Sequence, residues 1–365
     1  MNRAIVIGDS TNNTLSAVRS LGEAGIGFTL ILVCDDDTRH VRHSRYVSRN
    51  NFFWVRNIDD CKAVLARLSS TSGQKLFTTF DAAAEWVDAN EHELSRFFIT
   101  PCRGKQLGDL FNKAEQCKLA AECGFDVPKS TRYNRNRKLP ANGLSFPIIT
   151  KPLVSSRGSK SDIHVCYNIE ELQKSLDQDS TCDDFIIQEY VEKEFEINCL
   201  CMRNEKGTCI GTCIQKIRHW PMITGAASFG VTTQPKDFGM NENALDEFLD
   251  RCGYHGPFSV EFLHKGKHNY FLEVNFRNDG LAYTSTMAGV NLHCMYVNDS
   301  NPIGNPNPDK IFMMDYSIDL LHVKAKSLSF FRWARDFIST RCLVNACLSD
   351  PMPTVMYYLN KIKKT

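Results

Sequence analysis

Glu273, Asn275 and Arg277 stand at alternate positions in the run Tyr270-Phe271-Leu272-Glu273-Val274-Asn275-Phe276-Arg277-Asn278-Asp279-Gly280. Side chains in a strand repeat every two residues, so these three project from one face. Phe271, Val274 and Phe276 give the run the apolar character of a strand packed into a core. An anionic oxygen, a neutral oxygen and a fixed guanidinium in one row suit a magnesium ion and the phosphates it carries. The row therefore points to a nucleotide site.

Other stretches bear on the same chemistry. Phe146–Pro152 reads as an apolar strand near whose end stands Lys151, and Ser155, Ser156, Gly158, Ser159, Lys160 and Ser161 follow. Such a loop offers N–H groups and hydroxyls to phosphate oxygens, or forms a plain surface hairpin. Its spacing is not that of a Walker A loop. In Ile186–Asn198 an apolar strand runs into Gln188, Glu189, Tyr190, Val191 and Glu194. A hinge there can take an adenine through backbone groups and leave a carboxylate for ribose hydroxyls; a hairpin with exposed acids is the plainer reading of that segment alone. Gly8 and Asp35 have the positions of a Rossmann site, but Gly8-Asp9-Ser10-Thr11-Asn12-Asn13 lacks the second and third glycines. That turn can still hold a small anionic substrate at a helix N-terminus. The basic run Arg39 to Arg45 lacks interleaved aromatics and reads as a solvated loop.

Composition sets the frame. The chain has 365 residues, 42% hydrophobic and 23% charged, as a globular protein of two or three domains would. A net charge of +1 gives no bulk field for nucleic acid. No apolar run reaches the roughly 18 residues of a membrane helix, and the N-terminus reads as a strand rather than a signal peptide. The expected setting is cytoplasmic, and the fifteen scattered cysteines, with no Cys-x-x-Cys, read as reduced buried thiols.

The elements that would hold these residues fall into three stretches. Residues 1–107 read as an α/β unit with strands at Ala4–Gly8, Phe28–Val33 and Lys75–Thr79 and a helix at Thr14–Ala24. In 108–300, a helix over 112–126 ends at Gly124, and strands are expected at Phe146–Pro152, Phe185–Val191, Glu194–Met202, Cys209–Lys216, Phe258–Leu263 and Asn269–Phe276. Neighbouring strands make this region antiparallel α+β. Residues 301–365 read as a helical, amphipathic extension.

Lys113, Lys151, the Ser/Gly loop, Gln188 to Val191 with Glu194, then Glu261, then Glu273, Asn275 and Arg277 together form a series. In that order it resembles the ATP-grasp superfamily over about residues 105–295, most nearly its carboxylate–amine ligases and carbamoyl-phosphate-synthase-like modules of a bacterial polysaccharide-locus type. The resemblance implies a pre-ATP-grasp α/β domain (1–107), a two-lobed ATP-grasp domain (108–300, with a small lid lobe at about 129–192) and the extension. It implies that Lys113 and Lys151 bind ATP phosphates and that Ser155–Ser161 form the lid. Glu189 and Val191 would bracket the adenine, and Glu194 would hold the ribose. Glu261, Glu273 and Asn275 would bind one or two Mg2+ ions, or Mn2+. Arg277 would steady the transferred phosphoryl group or the acyl-phosphate intermediate, with Lys216, or its close rivals Arg218 and His219, pointing a further cation at the phosphates. His293 and Cys294 remain structural, since the chemistry demands no covalent nucleophile.

The expected activity is ligation: a carboxylate is activated as an acyl phosphate and joined to an amine, with release of ADP and phosphate. Kinase-like transfer, bicarbonate activation and nucleotide binding without turnover are the alternatives. The expected partners are a small carboxylate and a small amine, with no nucleic acid and no integral membrane segment; a homo-oligomer is left open. The irregular stretch Lys216 to Phe229 and the turn from Arg277 to Tyr283 are expected to face the acceptor.

Overall fold

The computed structural model describes residues 3–71, 73–136, 145–153, 163–178, 183–222, 225–301 and 308–364. The expected lid residues Ser155, Ser156, Gly158, Ser159, Lys160 and Ser161 lie outside these. The first unit is a four-stranded parallel sheet in the order β3-β2-β1-β4, built from β1 (Ala4–Gly8), β2 (Phe28–Val33), β3 (Phe52–Val55) and β4 (Lys75–Thr78). Helices α1 (Asn12–Glu23), α2 (Cys61–Leu68), α3 (Asp81–Ala89) and α4 (Glu91–Leu94) connect and follow the strands. β1 and β2 are buried on both faces, which is why they read as unbroken apolar runs rather than alternating ones.

Helix α5 (Lys113–Glu122) leads into a small antiparallel sheet, β5-β8-β6-β7, of β5 (Ser130–Asn134), β6 (Ile148–Pro152), β7 (His164–Cys166) and β8 (Asp184–Glu189), with α6 (Ile169–Gln178) packed on it. The third unit is a seven-stranded sheet in the order β13-β12-β9-β10-β11-β14-β15. Its first strands are β9 (Phe195–Asn204), β10 (Gly207–Trp220) and β11 (Ala226–Thr233), followed by α7 (Pro235–Phe238) and α8 (Glu242–Cys252). The hairpin of β12 (Gly256–Lys265) and β13 (His268–Asn275) comes next, turning at Gly266, whose φ of +63° an L side chain rarely adopts. Helices α9 (Ala282–Met287) and α10 (Leu292–Val297) then cover one face, in contact with α1.

The C-terminal stretch carries α11 (Tyr316–Lys324), α12 (Phe330–Ser339) and α13 (Met352–Lys364), but it is more than a helical extension. Its strands β14 (Phe312–Met314) and β15 (Thr340–Leu343) complete the large sheet, β14 pairing antiparallel with β11. The short run Phe312-Met313-Met314 carries too little periodicity to read as a strand without its partner. The end of the chain is tied back to the first unit. Asp350, fully buried, accepts from Arg19 Nε at 3.3 Å, Ser44 Oγ at 2.9 Å and the Arg45 N–H at 2.8 Å.

The β12–β13 hairpin departs from plain alternation at one point. Glu261 faces Glu273, but Phe262 faces Phe271, so Leu272 is an extra residue in a β-bulge. Strict alternation would put Phe271 on the face of Glu273. The bulge instead buries Phe271 with Val274 and Phe276 in the core under α5 and α8. It also puts Leu272 in the wall of a cleft, beside Glu273.

Candidate active site

The small sheet, the start of α5 and the face of the large sheet around β9, β12 and β13 enclose a cleft. Lys113 is the first residue of α5, whose N-cap Asn112 accepts from the Ala114 N–H at 2.9 Å. The Lys113 N–H donates to the Leu153 carbonyl at 3.2 Å, joining the helix start to the end of β6. One turn further, Gln116 clamps the helix to β13: its amide donates to the Val274 carbonyl at 3.1 Å and accepts the Val274 N–H at 2.8 Å. This holds Lys113 Nζ at 3.0 Å from Glu273 Oε2. Burial works against the Lys113 charge, but Glu273, Glu261 and Asp81 outweigh it and lift its pKa above the ordinary lysine value. Lys151, buried on β6, has less counter-charge; burial and then the nearby Lys113 push its pKa down. Two lysines sharing one cleft without full neutralisation make a site for an anion.

A second charged group lies on the large sheet. Lys216 Nζ on β10 donates to Glu261 Oε2 at 2.6 Å and Glu196 Oε2 at 3.0 Å, and Glu196 also pairs with Lys193. Burial disfavours the Glu196 carboxylate, but Lys216 and Lys193 outweigh it and hold its pKa down at about 2. The sign of its effect on stability follows. A carboxylate depressed from 4.5 to about 2 contributes stability that is full above pH 4.5 and lost as pH falls towards 2. Wild-type stability is therefore expected to drop by roughly 3 kcal/mol more than that of Glu196→Gln across this window, a shift of one unit corresponding to about 1.4 kcal/mol. Urea unfolding at stepped pH measures it, and parallel curves for the two proteins would contradict it.

Asn275 and Arg277 continue the row past Glu273. Asn275 Nδ2 donates to Ser259 Oγ at 3.2 Å, and its Oδ1 accepts from Arg277 Nη2 at 3.1 Å. Arg277 Nε donates to Asp81 Oδ1 at 2.8 Å, and Nη1 lies 3.7 Å from Asp279 Oδ2. Burial opposes the guanidinium charge, while Asp81 and Asp279 raise its pKa further. Arg277 thus ties the first unit to the large sheet.

Two connected cavities lie in the cleft. The inner one, about 120 Å3, is walled by Gln188, Tyr190, Val191, Leu263 and Leu272 and bounded by Lys151 and Glu196. The Gln188 amide nitrogen is buried there without a partner among the described residues. The Tyr190 N–H is occupied, donating to the Pro147 carbonyl at 3.2 Å. The outer cavity, about 510 Å3, shares Lys113, Lys216, Glu261 and Glu273 with the inner one and runs past Asn275 and Arg277 to Asn12 and Asp315. An apolar slot ending on lysines and carboxylates suits a base at one end and phosphates at the other. For a metal, Glu261 and Glu273 face each other across paired strands with the Asn275 amide beside them. No group of three or more His, Cys, Asp or Glu forms a complete metal cage among the described residues. Two carboxylates and an amide with the remaining ligands from phosphates and water is the oxygen-only arrangement that Mg2+ accepts.

Most residues singled out in the sequence come together here: Lys113, Lys151, Gln188, Glu189, Tyr190, Val191, Lys216, Glu261, Glu273, Asn275 and Arg277 all line one of the two cavities. Two do not. Glu194 is exposed, and its carboxylate accepts the Gly266 N–H at 2.9 Å, bracing the β12–β13 turn. Glu196 holds the cavity wall instead, because β9 begins at Phe195 and alternation from there turns Glu196 and Asn198 into the cleft. Arg218 lines neither cavity. Register shifts on both sides of it break the alternation from Lys216, and its guanidinium is taken by Asp319 at 2.8 and 2.9 Å and Asp336 at 2.7 Å. The Gly8–Asn13 turn also differs from the expected anion site: Asn12 and Asn13 line the outer cavity alongside Asp279 and Asp315, which repel an anion. Gln116, Asn198 and Asp81 were not legible as site residues. Gln116 alone left a signal, lying three residues after Lys113 and so on the same side of the helix.

The family described as carbamoyl-phosphate synthase L chain, ATP binding domain, matches residues 112–298. Among curated proteins, the chain is 30% identical over 149 residues to the formate-dependent phosphoribosylglycinamide formyltransferase of Sulfurovum sp., covering 38% of this chain and 36% of that one. It is 25% identical over 235 residues to the biotin carboxylase of Haemophilus influenzae, covering 59% of this chain and 51% of that one. The chain thus spans about a third to a half of the length of these relatives. Among solved structures, N5-carboxyaminoimidazole ribonucleotide synthetase from Thermus thermophilus has a TM-score of 0.66 at 14% identity, covering 84% of this chain and 82% of that one. L-amino acid ligase from Bacillus licheniformis has a TM-score of 0.61 at 12% identity, covering 82% and 74%.

Proposed function

The chain belongs to the family of the carbamoyl-phosphate synthase L chain, ATP binding domain, an ATP-grasp fold, and from that premise we propose that it is an ATP- and Mg-dependent ligase joining a carboxylate to an amine. The observation that carries the reading is the continuous cleft in which Lys113 and Lys151 stand opposite Glu261 and Glu273, with an apolar slot at one end and a 510 Å3 chamber at the other. The inner slot takes the adenine between Val191, Leu263 and Leu272, with Gln188 and Glu189 at its edge. Glu196 is better placed for the ribose than Glu194. Lys113 and Lys151 hold phosphate oxygens. Glu261, Glu273 and Asn275 would hold Mg2+, one ion or two, which when bound would neutralise phosphate charge. Lys216 keeps Glu196 ionised and holds Glu196 and Glu261 in place.

The substrate carboxylate enters the outer chamber, and one of its oxygens attacks the γ-phosphorus as ADP leaves. The amine nitrogen then attacks the acyl carbon. The carbon–oxygen bond to phosphate breaks, phosphate departs with the electron pair, and the nitrogen loses its proton. Arg277 faces the phosphoryl group through both steps. The domain partition 1–107, 108–300 and 301–365 follows the same reading, with β14 and β15 supplied to the central sheet by the last part. The fourteen cysteines among the described residues are free thiols, and a cytoplasmic setting is part of the same reading. No described helix is long and apolar enough to cross a membrane.

The reading is tested by ADP and phosphate release from the purified chain with Mg-ATP against a panel of amino acids, sugar acids and amines. ADP release that needs a carboxylate and an amine together supports it. A stable phosphorylated product with no need for the amine would replace ligation with a kinase reaction.

A further inference from the structure

The end of the outer chamber away from the two lysines has a composition of its own. Asn198 on β9 faces it, only 3% exposed; its Nδ2 donates to Asp279 Oδ2 at 3.3 Å, and its Oδ1 is buried with no partner among the described residues. Asn198 is paired in register with Glu261, so this orphaned acceptor sits next to the phosphate end of the site. Asp279 stands beside it and Asp315 further out. The nearby fixed cations are already engaged: Arg277 with Asp81 and Asp279, Arg218 with Asp319 and Asp336. Among the described residues, no further Lys or Arg lines this end. An unsatisfied acceptor among carboxylates favours a positively charged donor and repels a phosphate ester.

Past Asp315 the chamber opens into another cavity of about 280 Å3, sharing Asn12, Asp315 and Ile318 with it. Tyr316, Tyr357 and Tyr358 wall this cavity, together with His40, whose ring meets Tyr357 edge-on with centroids 5.3 Å apart. Asp315 Oδ1 is saturated by Ser317, Ile318 and Asn345, while Oδ2 takes only a 3.2 Å bond from Asn12. The Asn345 Oδ1 in the same wall is buried without a partner among the described residues. These walls suit a flat apolar body with a polar edge.

We propose that the amine substrate is an unphosphorylated primary amine with an aromatic-sized body, its amino group held between Asn198 Oδ1 and Asp279 and its body lying past Asp315 against Tyr316, Tyr357 and Tyr358. The proposal rests on the ligase reading for the word substrate, but the pocket is tested without catalysis. The full chain is titrated calorimetrically, with no nucleotide, against tyramine, tyramine O-phosphate and 4-methylphenol. Tyramine is expected to bind at least about tenfold more tightly than either of the others, the scale of one charge-assisted hydrogen bond. Asp279→Asn, which removes the charge and keeps one of the two acceptor oxygens, is expected to weaken tyramine about tenfold and leave 4-methylphenol unchanged; Tyr357→Ala, at the surface, should weaken both. Failure of tyramine to bind, or equal binding of its phosphate ester, overturns the proposal. Tyramine binding with no ADP formation under any carboxylate overturns the ligase reading and leaves the pocket standing. ADP formation that depends on a phosphorylated amine does the reverse.

Discussion

Glu273→Ala is expected to lower the rate of ADP formation at least about 10³-fold while leaving the fold intact. Removing one preorganised group that meets developing charge already costs about 10² to 10³, and Glu273 has two such duties here. It is one of the two carboxylates facing each other across β12 and β13, and it is the partner of Lys113 at 3.0 Å. Without it, burial and Lys151 both act against the Lys113 charge, and the lysine pair that should receive the phosphates loses its nearest counter-charge. The side chain itself is partly exposed at the cleft wall, so its removal opens no sealed core cavity. Glu273→Gln keeps the shape and removes only the charge, and it should be nearly as severe. A coupled ADP assay and a thermal melt of each variant check this. Turnover within tenfold of wild type would remove Glu273 from the metal site.

Arg277→Ala is expected to reduce kcat by about 10² to 10³ with little change in the KM for ATP. The guanidinium sits beyond Asn275 on the wall of the outer chamber, and under the proposed reaction it would meet charge that grows only as the phosphoryl group transfers. Arg277→Lys should recover little of this, since a lysine cannot reach Asp81, Asn275 and Asp279 together with one planar fork. The loss of fold stability should be modest, because Asp81 is about one-third exposed and rehydrates. A steady-state comparison with ATP and the acceptor varied separately decides the role. An unchanged kcat with a raised KM for the acceptor would make Arg277 a positioning residue for that substrate.

The residues proposed to handle ATP were legible locally. Glu273, Asn275 and Arg277 alternate on one strand, Lys151 ends another, and Lys113 opens a helix behind Asn112; each needs only the period of its own element. Their order along the chain then identified the fold, because an ATP-grasp site takes its parts in sequence from successive elements. What stayed hidden depended on small registers or on long separations. Glu194 and Glu196 differ by two residues in a string of acids, and only the start of β9 at Phe195 decides which one turns inward. Leu272 looks like core, and a single extra residue in a bulge puts it in the cleft wall.

Distance along the chain accounts for the rest. Arg218 reads as a loose cation near the acceptor loop, yet its partners Asp319 and Asp336 come 101 and 118 residues later, on elements whose packing no local period encodes. Asp81 meets Arg277 across 196 residues, and Asn12 meets Asp315 across 303. The sequence by itself therefore determined that Glu273, Asn275 and Arg277 share one strand face, since strand and helix periods are properties of a few neighbouring residues. Only the tertiary structure decided which polar groups face the chamber, because that depends on what the packed units bring within about 3 Å of each other. It left Asn198 and Asp279 facing the chamber and took Arg218 away from it.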